Sequence, residues 1–185
     1  MNLLINDTPD YIVVGGKKIS IKTDFRLWAA FWIACAEGSA DKIKECIGKI
    51  TDDIPEDSQS FAAACVAWMF PDKAKNGKKT NSKNIMSQQP FDFAADGNII
   101  YCELWQYFPT LMERGISFHE GVELIKILLH NESTMMWHIA FARCGDFSKM
   151  EKSQRDYWQG QRQIYSIANK AVTQEDRDRW LYNAF

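Results

Sequence analysis

Leu27-Trp28-Ala29-Ala30-Phe31-Trp32-Ile33-Ala34-Cys35-Ala36 and Phe61-Ala62-Ala63-Ala64-Cys65-Val66-Ala67-Trp68-Met69-Phe70 are uninterrupted apolar runs, and their reading decides the fold. Each falls well short of the roughly 20 apolar residues that a helix needs to cross the hydrocarbon layer of a bilayer. Runs this short predict buried helices rather than membrane spans. A helix apolar on nearly every side must be enclosed by protein. The two runs are therefore expected to pack on each other and on flanking elements, forming the centre of the N-terminal half.

Upstream, Tyr11-Ile12-Val13-Val14 and Lys17-Lys18-Ile19-Ser20-Ile21 flank Gly15-Gly16, two β-branched runs around a dipeptide able to adopt positive φ. That pattern predicts a β-hairpin. A two-stranded ribbon is marginal alone, so its apolar face should lie on the helices that follow. Thr23 is placed to cap the first helix, with Asp24 in its first turn. A second helix is expected after Ser39, with Ile43, Cys46, Ile47 and Ile50 along one face. Asp53 and Pro55 mark the approach to the third helix, and Pro71 its end.

The 185 residues are 46% hydrophobic and 25% charged, which suits one sizeable core or two small ones. A net charge of −2 gives no global preference for nucleic acid or an anionic membrane. Locally, Lys73, Lys75, Lys78, Lys79 and Lys83 stand against the single acid Asp72, while the rest of the chain is net acidic. The five cysteines, Cys35, Cys46, Cys65, Cys102 and Cys144, are odd in number and show no C-x-x-C pair. This argues against a disulfide framework or zinc site, and for a reducing compartment. Cys35, Cys65 and Cys102 have apolar sequence neighbours, which predicts small hydrophobes in a core. Met1 to Asp7 lacks the basic and apolar regions of a signal peptide.

Residues 71–90 offer little to bury apart from Ile85 and Met86, and read as a polar, lysine-rich linker or long loop. The expected organisation is a hairpin plus helical subdomain over 1–70, this linker, and a helical subdomain over 91–185. The fold class is mainly α, with helical bundles and a short N-terminal β-hairpin. In the C-terminal half, Phe91 to Tyr107 is apolar-periodic, and Ser117-Phe118-His119-Glu120 and Ser148-Lys149-Met150-Glu151 both fit a capping box. Ser133 is read as the cap of the helix between them. Final helices are expected from about Lys149 to Ala171 and from Thr173 to about Tyr182.

Chemistry-bearing constellations are sparse. Asp92 and Asp96 stand four apart, and helix capping and dipole compensation explain them better than a paired-carboxylate site. His119, His130 and His138 match no metal-binding spacing. Cys144 is six residues past His138, on a different helix face, and there is no nucleophile elbow, Walker motif or dinucleotide fingerprint. The chain is expected to be neither an enzyme nor a cofactor binder. The surplus of aromatic and methionine residues is the remaining anomaly. Met135, Met136 and Trp137 are consecutive and cannot share a helix face, so core and surface roles must divide among them, with Trp137 expected to be partly exposed. With Trp158 and Trp180 they form the candidate partner-binding set, since methionine and aromatic surfaces hold partner helices adaptably.

The hairpin leading into Thr23-Asp24-Phe25-Arg26, the polar linker, Phe91-Asp92-Phe93 with Asp96, and Ile100-Tyr101 together resemble the bacteriophage gene-product-fifteen family. The likeness continues through the Phe118-His119 helix and the Arg155 to Tyr165 helix ending in Ile164-Tyr165, and so spans most of the chain. Members of this family resemble tail assembly chaperones of long-tailed phages of Gram-positive bacteria. The resemblance implies a non-enzymatic protein of the host cytoplasm that coats the tape-measure protein's long helix before the tail tube polymerises. Its partners would be the tape-measure protein, the tail tube protein and further copies of itself, with no membrane. The alternative is a nucleic-acid-binding accessory protein using Lys73, Lys75, Lys78, Lys79 and Lys83 as phosphate contacts. Against it, the lysine segment lacks arginine and stacking aromatics, and the body is acidic.

Overall fold

Helix α1 (Phe25–Glu37) begins where Asp24 accepts hydrogen bonds from the backbone of Arg26 at 2.9 Å and Leu27 at 3.3 Å, so Asp24 is the cap. The expected cap, Thr23, is otherwise engaged: its carbonyl accepts the Phe118 N–H at 2.8 Å, and the Phe25 N–H is given to Ile116 at 2.9 Å. Ser39 caps α2 (Ala40–Ile50) as expected, and Ile43, Ile47 and Ile50 are buried along one face, with Cys46 half-buried. Asp57 caps α3 (Ser58–Met69), a few residues beyond the expected Asp53 and Pro55.

The computed structural model describes residues 8–70 and 90–167, which include eight helices and one two-stranded sheet. None of these helices is long and apolar enough to cross a membrane. The chain is mainly helical with a short N-terminal hairpin, as the sequence predicts. Strands β1 (Tyr11–Val14) and β2 (Lys17–Ser20) pair antiparallel with Ile12 opposite Ile19 and Val14 opposite Lys17. The turn between them needs positive φ at both central positions, which Gly15 (56°) and Gly16 (81°) supply. Ile12 and Ile19 point the same way and are buried, and β1 lies against α3.

The described chain forms two compact units, the first containing 8–70 with Arg114–Val122, the second 90–113 with 123–167. The return of Arg114–Val122 to the first unit differs from a simple division at the linker. The isolated antiparallel bridge between Asp24 and Ser117 gives the physical reason, because it fixes the returning segment beside the start of α1.

Trp28 is the hub of the first core. It is fully buried, stacks on Trp68 at 4.1 Å, meets Phe31 edge-on at 5.9 Å, and donates its indole N–H to the Lys22 carbonyl at 2.8 Å. Phe118, also fully buried, lies between Phe25 and Trp68, 6.3 Å from each. The enclosure expected for both apolar helices is corrected: Trp28, Phe31, Ala34, Phe61, Ala62, Cys65 and Met69 are buried, but Ala30, Ala63 and Ala67 face outward. Alanine makes this possible, since it favours a helix without adding much apolar surface to the open side.

In the second unit, α4 (Phe93–Tyr107) is followed by α5 (Pro109–Arg114), a short helix whose proline occupies the first helical position, where its missing N–H costs nothing. Helix α6 (Phe118–Leu129) starts in the first unit and enters the second at Glu123. Its capping box forms as expected: the Ser117 N–H reaches Glu120 at 2.8 Å and the Glu120 N–H reaches Ser117 Oγ at 3.3 Å. Helices α7 (Met135–Cys144) and α8 (Lys152–Ile164) complete the unit and pack on each other. Two expected caps are corrected. Thr134, not Ser133, caps α7, and Ser148 donates its N–H to Asp146 at 2.9 Å instead of opening a helix, so α8 begins only after Glu151. The last expected helix, from Thr173, and the end of the one before it lie outside the described residues.

Candidate functional site

Helix α7 is held at each end by a charge from a neighbouring helix. At its N-terminus Glu103 of α4, almost fully buried, accepts the backbone N–H of Met135 at 2.5 Å and of Met136 at 3.0 Å. At its C-terminus Arg162 of α8 donates to the carbonyls of Ala142 at 2.8 Å and Gly145 at 2.6 Å, and its guanidinium sits 4.3 Å from the Phe147 ring. A carboxylate at the positive end and a guanidinium at the negative end both oppose the helix dipole and satisfy backbone groups that a helix leaves unpaired.

A third polar contact fixes the frame. Arg143, 5% exposed, pairs with Asp96, 3% exposed, through two bonds of 2.6 and 2.9 Å. The same guanidinium donates to the Tyr165 carbonyl at 2.7 Å and the Pro90 carbonyl at 3.4 Å. Asp96 also accepts the Asp92 N–H at 2.7 Å, while Asp92 accepts from Ala94 and Ala95, both at 2.8 Å. The two aspartates thus cap α4 as the sequence implies. The arginine that neutralises Asp96 lies 47 positions away and leaves no local trace.

On this frame an open cleft of about 550 Å³ is lined chiefly by Glu103, Tyr107, Glu132, Met135, His138 and Tyr157. Tyr107, Met135 and Tyr157 are exposed large side chains at its surface. The Tyr157 hydroxyl is 3.4 Å from His138 Nε2, and Tyr107 donates to the Ser133 carbonyl at 3.5 Å. Behind this surface stands a stack of rings. Trp137 lies parallel to Phe141 at 4.9 Å, and Trp158 meets His138 and Phe141, each at 4.7 Å.

The expected partner-binding residues separate cleanly. Met135 is exposed in the cleft wall, Met136 is fully buried, and Trp137 and Trp158 are half-buried within the ring stack. Met136 is therefore corrected to a core residue: it follows Met135 by 100° around the helix, which turns it inward. Trp180 and the lysines Lys73, Lys75, Lys78, Lys79 and Lys83 lie outside the described residues. Nothing local in the sequence distinguishes Glu103, Tyr107 and Glu132 from other polar and aromatic residues of the chain.

The cysteines divide differently from expectation. Cys65 is buried, and burial pushes its thiol well above the ordinary value, whereas Cys102 is exposed rather than part of a core. Cys144 is also raised by partial burial, an effect that outweighs the nearby Arg143 and Arg162. Neither Cys65 nor Cys144 has the lowered pKa of an activated nucleophile. Each histidine has its own surroundings, His119 on the Trp68 carbonyl at 2.9 Å and His130 on the Lys126 carbonyl at 2.7 Å. Among the described residues no group of three or more His, Cys, Asp or Glu is placed to hold a metal. Comparison of the chain with protein-family models, with curated proteins and with solved structures finds no match.

Proposed function

We propose that this chain is a tail-assembly chaperone of a long-tailed phage, holding exposed helical stretches of the tape-measure protein in the host cytoplasm until the tail tube closes around them. The observation that carries the reading is the cleft beside α7, where Met135, Tyr107 and Tyr157 present adaptable and aromatic surface on a firmly held frame. Methionine and aromatic side chains suit the apolar stripe of an amphipathic helix, since they adjust to varied shapes at modest entropic cost. The resemblance of the chain to the gene-product-fifteen family supports the same reading.

Release matters as much as capture. A tape-measure helix repeats its apolar stripe many times, so numerous weak contacts by separate copies would shield it and still let tube subunits displace them. The test is co-expression with the tape-measure protein of the same phage. The partner should remain in the soluble fraction and elute with this chain. Equal insolubility with and without the chain, and no shared elution, would refute the reading.

A further inference from the structure

We infer that the cleft beside α7 receives a basic side chain, lysine or arginine, projecting from the partner helix. The inference rests on the proposed chaperone reading and adds the chemistry of the contact. Its basis is the composition of the wall: two carboxylates, Glu103 and Glu132, together with Tyr107, Tyr157 and Tyr165, one histidine, His138, whose Nε2 faces the Tyr157 hydroxyl, and no lysine or arginine. Glu132 is exposed and makes no ion pair among the described residues.

The adjoining helix N-terminus would ordinarily favour an anion, and magnitudes decide the sign. A helix N-terminus carries about half a positive charge. Glu103 sets a full carboxylate against it, bound to the first two N–H groups of α7. The helix end is thereby over-neutralised, and Glu132 adds a second negative charge at the rim. An anionic ligand would meet repulsion without access to those amides. A cation would meet the exposed Glu132 carboxylate and tyrosine rings, which attract it further through their negative faces, with the buried Glu103 adding negative potential from behind.

Shape narrows the choice to a long side chain. Lysine and arginine lay an aliphatic stem along apolar surface while the charged head stays with polar groups. Met135, 45% exposed in the wall, offers surface for the stem, and Glu132 and the tyrosines offer a place for the head. Both carboxylates belong to one compact unit, so the site needs no assembly from distant parts of the chain.

The test uses two synthetic amphipathic helical peptides that differ only in a lysine or a glutamine beside the apolar stripe. The full-length chain is titrated with each while the Met135 methyl signal is followed by NMR. The lysine peptide should bind about fivefold to tenfold more tightly, as one partly exposed ion pair and one cation–π contact would give, and should shift Met135. Glu132→Gln, an exposed change that leaves the frame intact, should reduce that preference to about twofold to threefold, the share left to the cation–π contact. Equal affinity for the peptides, no binding of either, a preference unaffected by Glu132→Gln, or shifts confined to other methionines would each overturn the inference. The readouts are separable from the co-expression test: co-elution without charge preference would refute the basic contact alone, whereas preference without co-elution would refute the tape-measure reading alone.

Discussion

Replacing Arg143 by methionine should destabilise the second unit severely while changing its volume little. Among the described residues the guanidinium makes four hydrogen bonds, two to Asp96 and one each to the carbonyls of Tyr165 and Pro90. Its removal leaves a carboxylate 3% exposed, without its counter-charge, and among the described residues accepting the Asp92 N–H alone. Breaking one side of a buried pair typically costs 3–5 kcal/mol, because the remaining charge keeps its desolvation penalty. Against a denaturant slope of about 2 kcal/mol/M, a loss of ~4 kcal/mol lowers the urea midpoint by roughly 2 M. Urea unfolding followed by circular dichroism measures it. The companion variant Asp96→Leu with Arg143→Met removes both charges and should recover much of the loss. If Arg143→Met alone shifts the midpoint by less than about 0.5 M, the pair contributes no more than a surface contact, and the account of the frame is wrong.

Glu103→Gln removes the charge from two hydrogen bonds at the start of α7 and should cost about 1–3 kcal/mol in a thermal or urea melt; an unchanged melt would show that the amide caps as well. Gly121→Ala would set a Cβ 2.2 Å from the Phe25 ring. The helical gain of up to ~1 kcal/mol is then outweighed by overpacking of about 1–3 kcal/mol, so the variant should melt lower, and a higher melt would mean that Phe25 moves aside freely. Burial alone would raise the Glu120 carboxyl, but bonds from Ser117 and the nearby Arg114 outweigh it and hold the group below its ordinary 4.5. A depressed acid contributes stability that is present above the unfolded pKa and is lost as pH falls through the folded one. Glu120→Gln should therefore flatten the decline in stability below pH 4.5, and an identical acid limb in both proteins would exclude the contribution.

What could be read in the sequence was whatever a few adjacent residues decide. Gly15-Gly16 fixed the hairpin because two glycines adopt both positive φ values without a Cβ clash. Ser39 and the Ser117 to Glu120 box capped their helices as expected. Where neighbouring residues were equally able to cap, other bonds chose: a distant one for Asp24 over Thr23, whose carbonyl serves Phe118, and a local one for Thr134 over Ser133, whose N–H goes to the Asn131 side chain. The apolar runs disclosed helices but not their open sides, since alanine is at home on either. The cleft was partly legible through Met135. Glu103 was invisible, because its partners stand 32 and 33 positions away and no periodicity announces such a bond.

The clamping of α7 by Glu103 and Arg162 also bears on how the second unit moves. A ten-residue helix is too short to persist alone in water, and helices usually lose their ends first. Here the first turn is tied to α4 and the last to α8. Neither end can fray without separating a neighbour's charge from the backbone groups it binds, so partial opening is penalised at both termini. Amide exchange along α7 should accordingly lack the usual gradient from fast ends to slow centre, and its terminal amides should exchange with the unit as a whole. A surface meant to capture and release partners repeatedly gains from this: the wall bearing Met135 stays formed between encounters, and each new partner meets a site whose ordering cost was met when the unit folded.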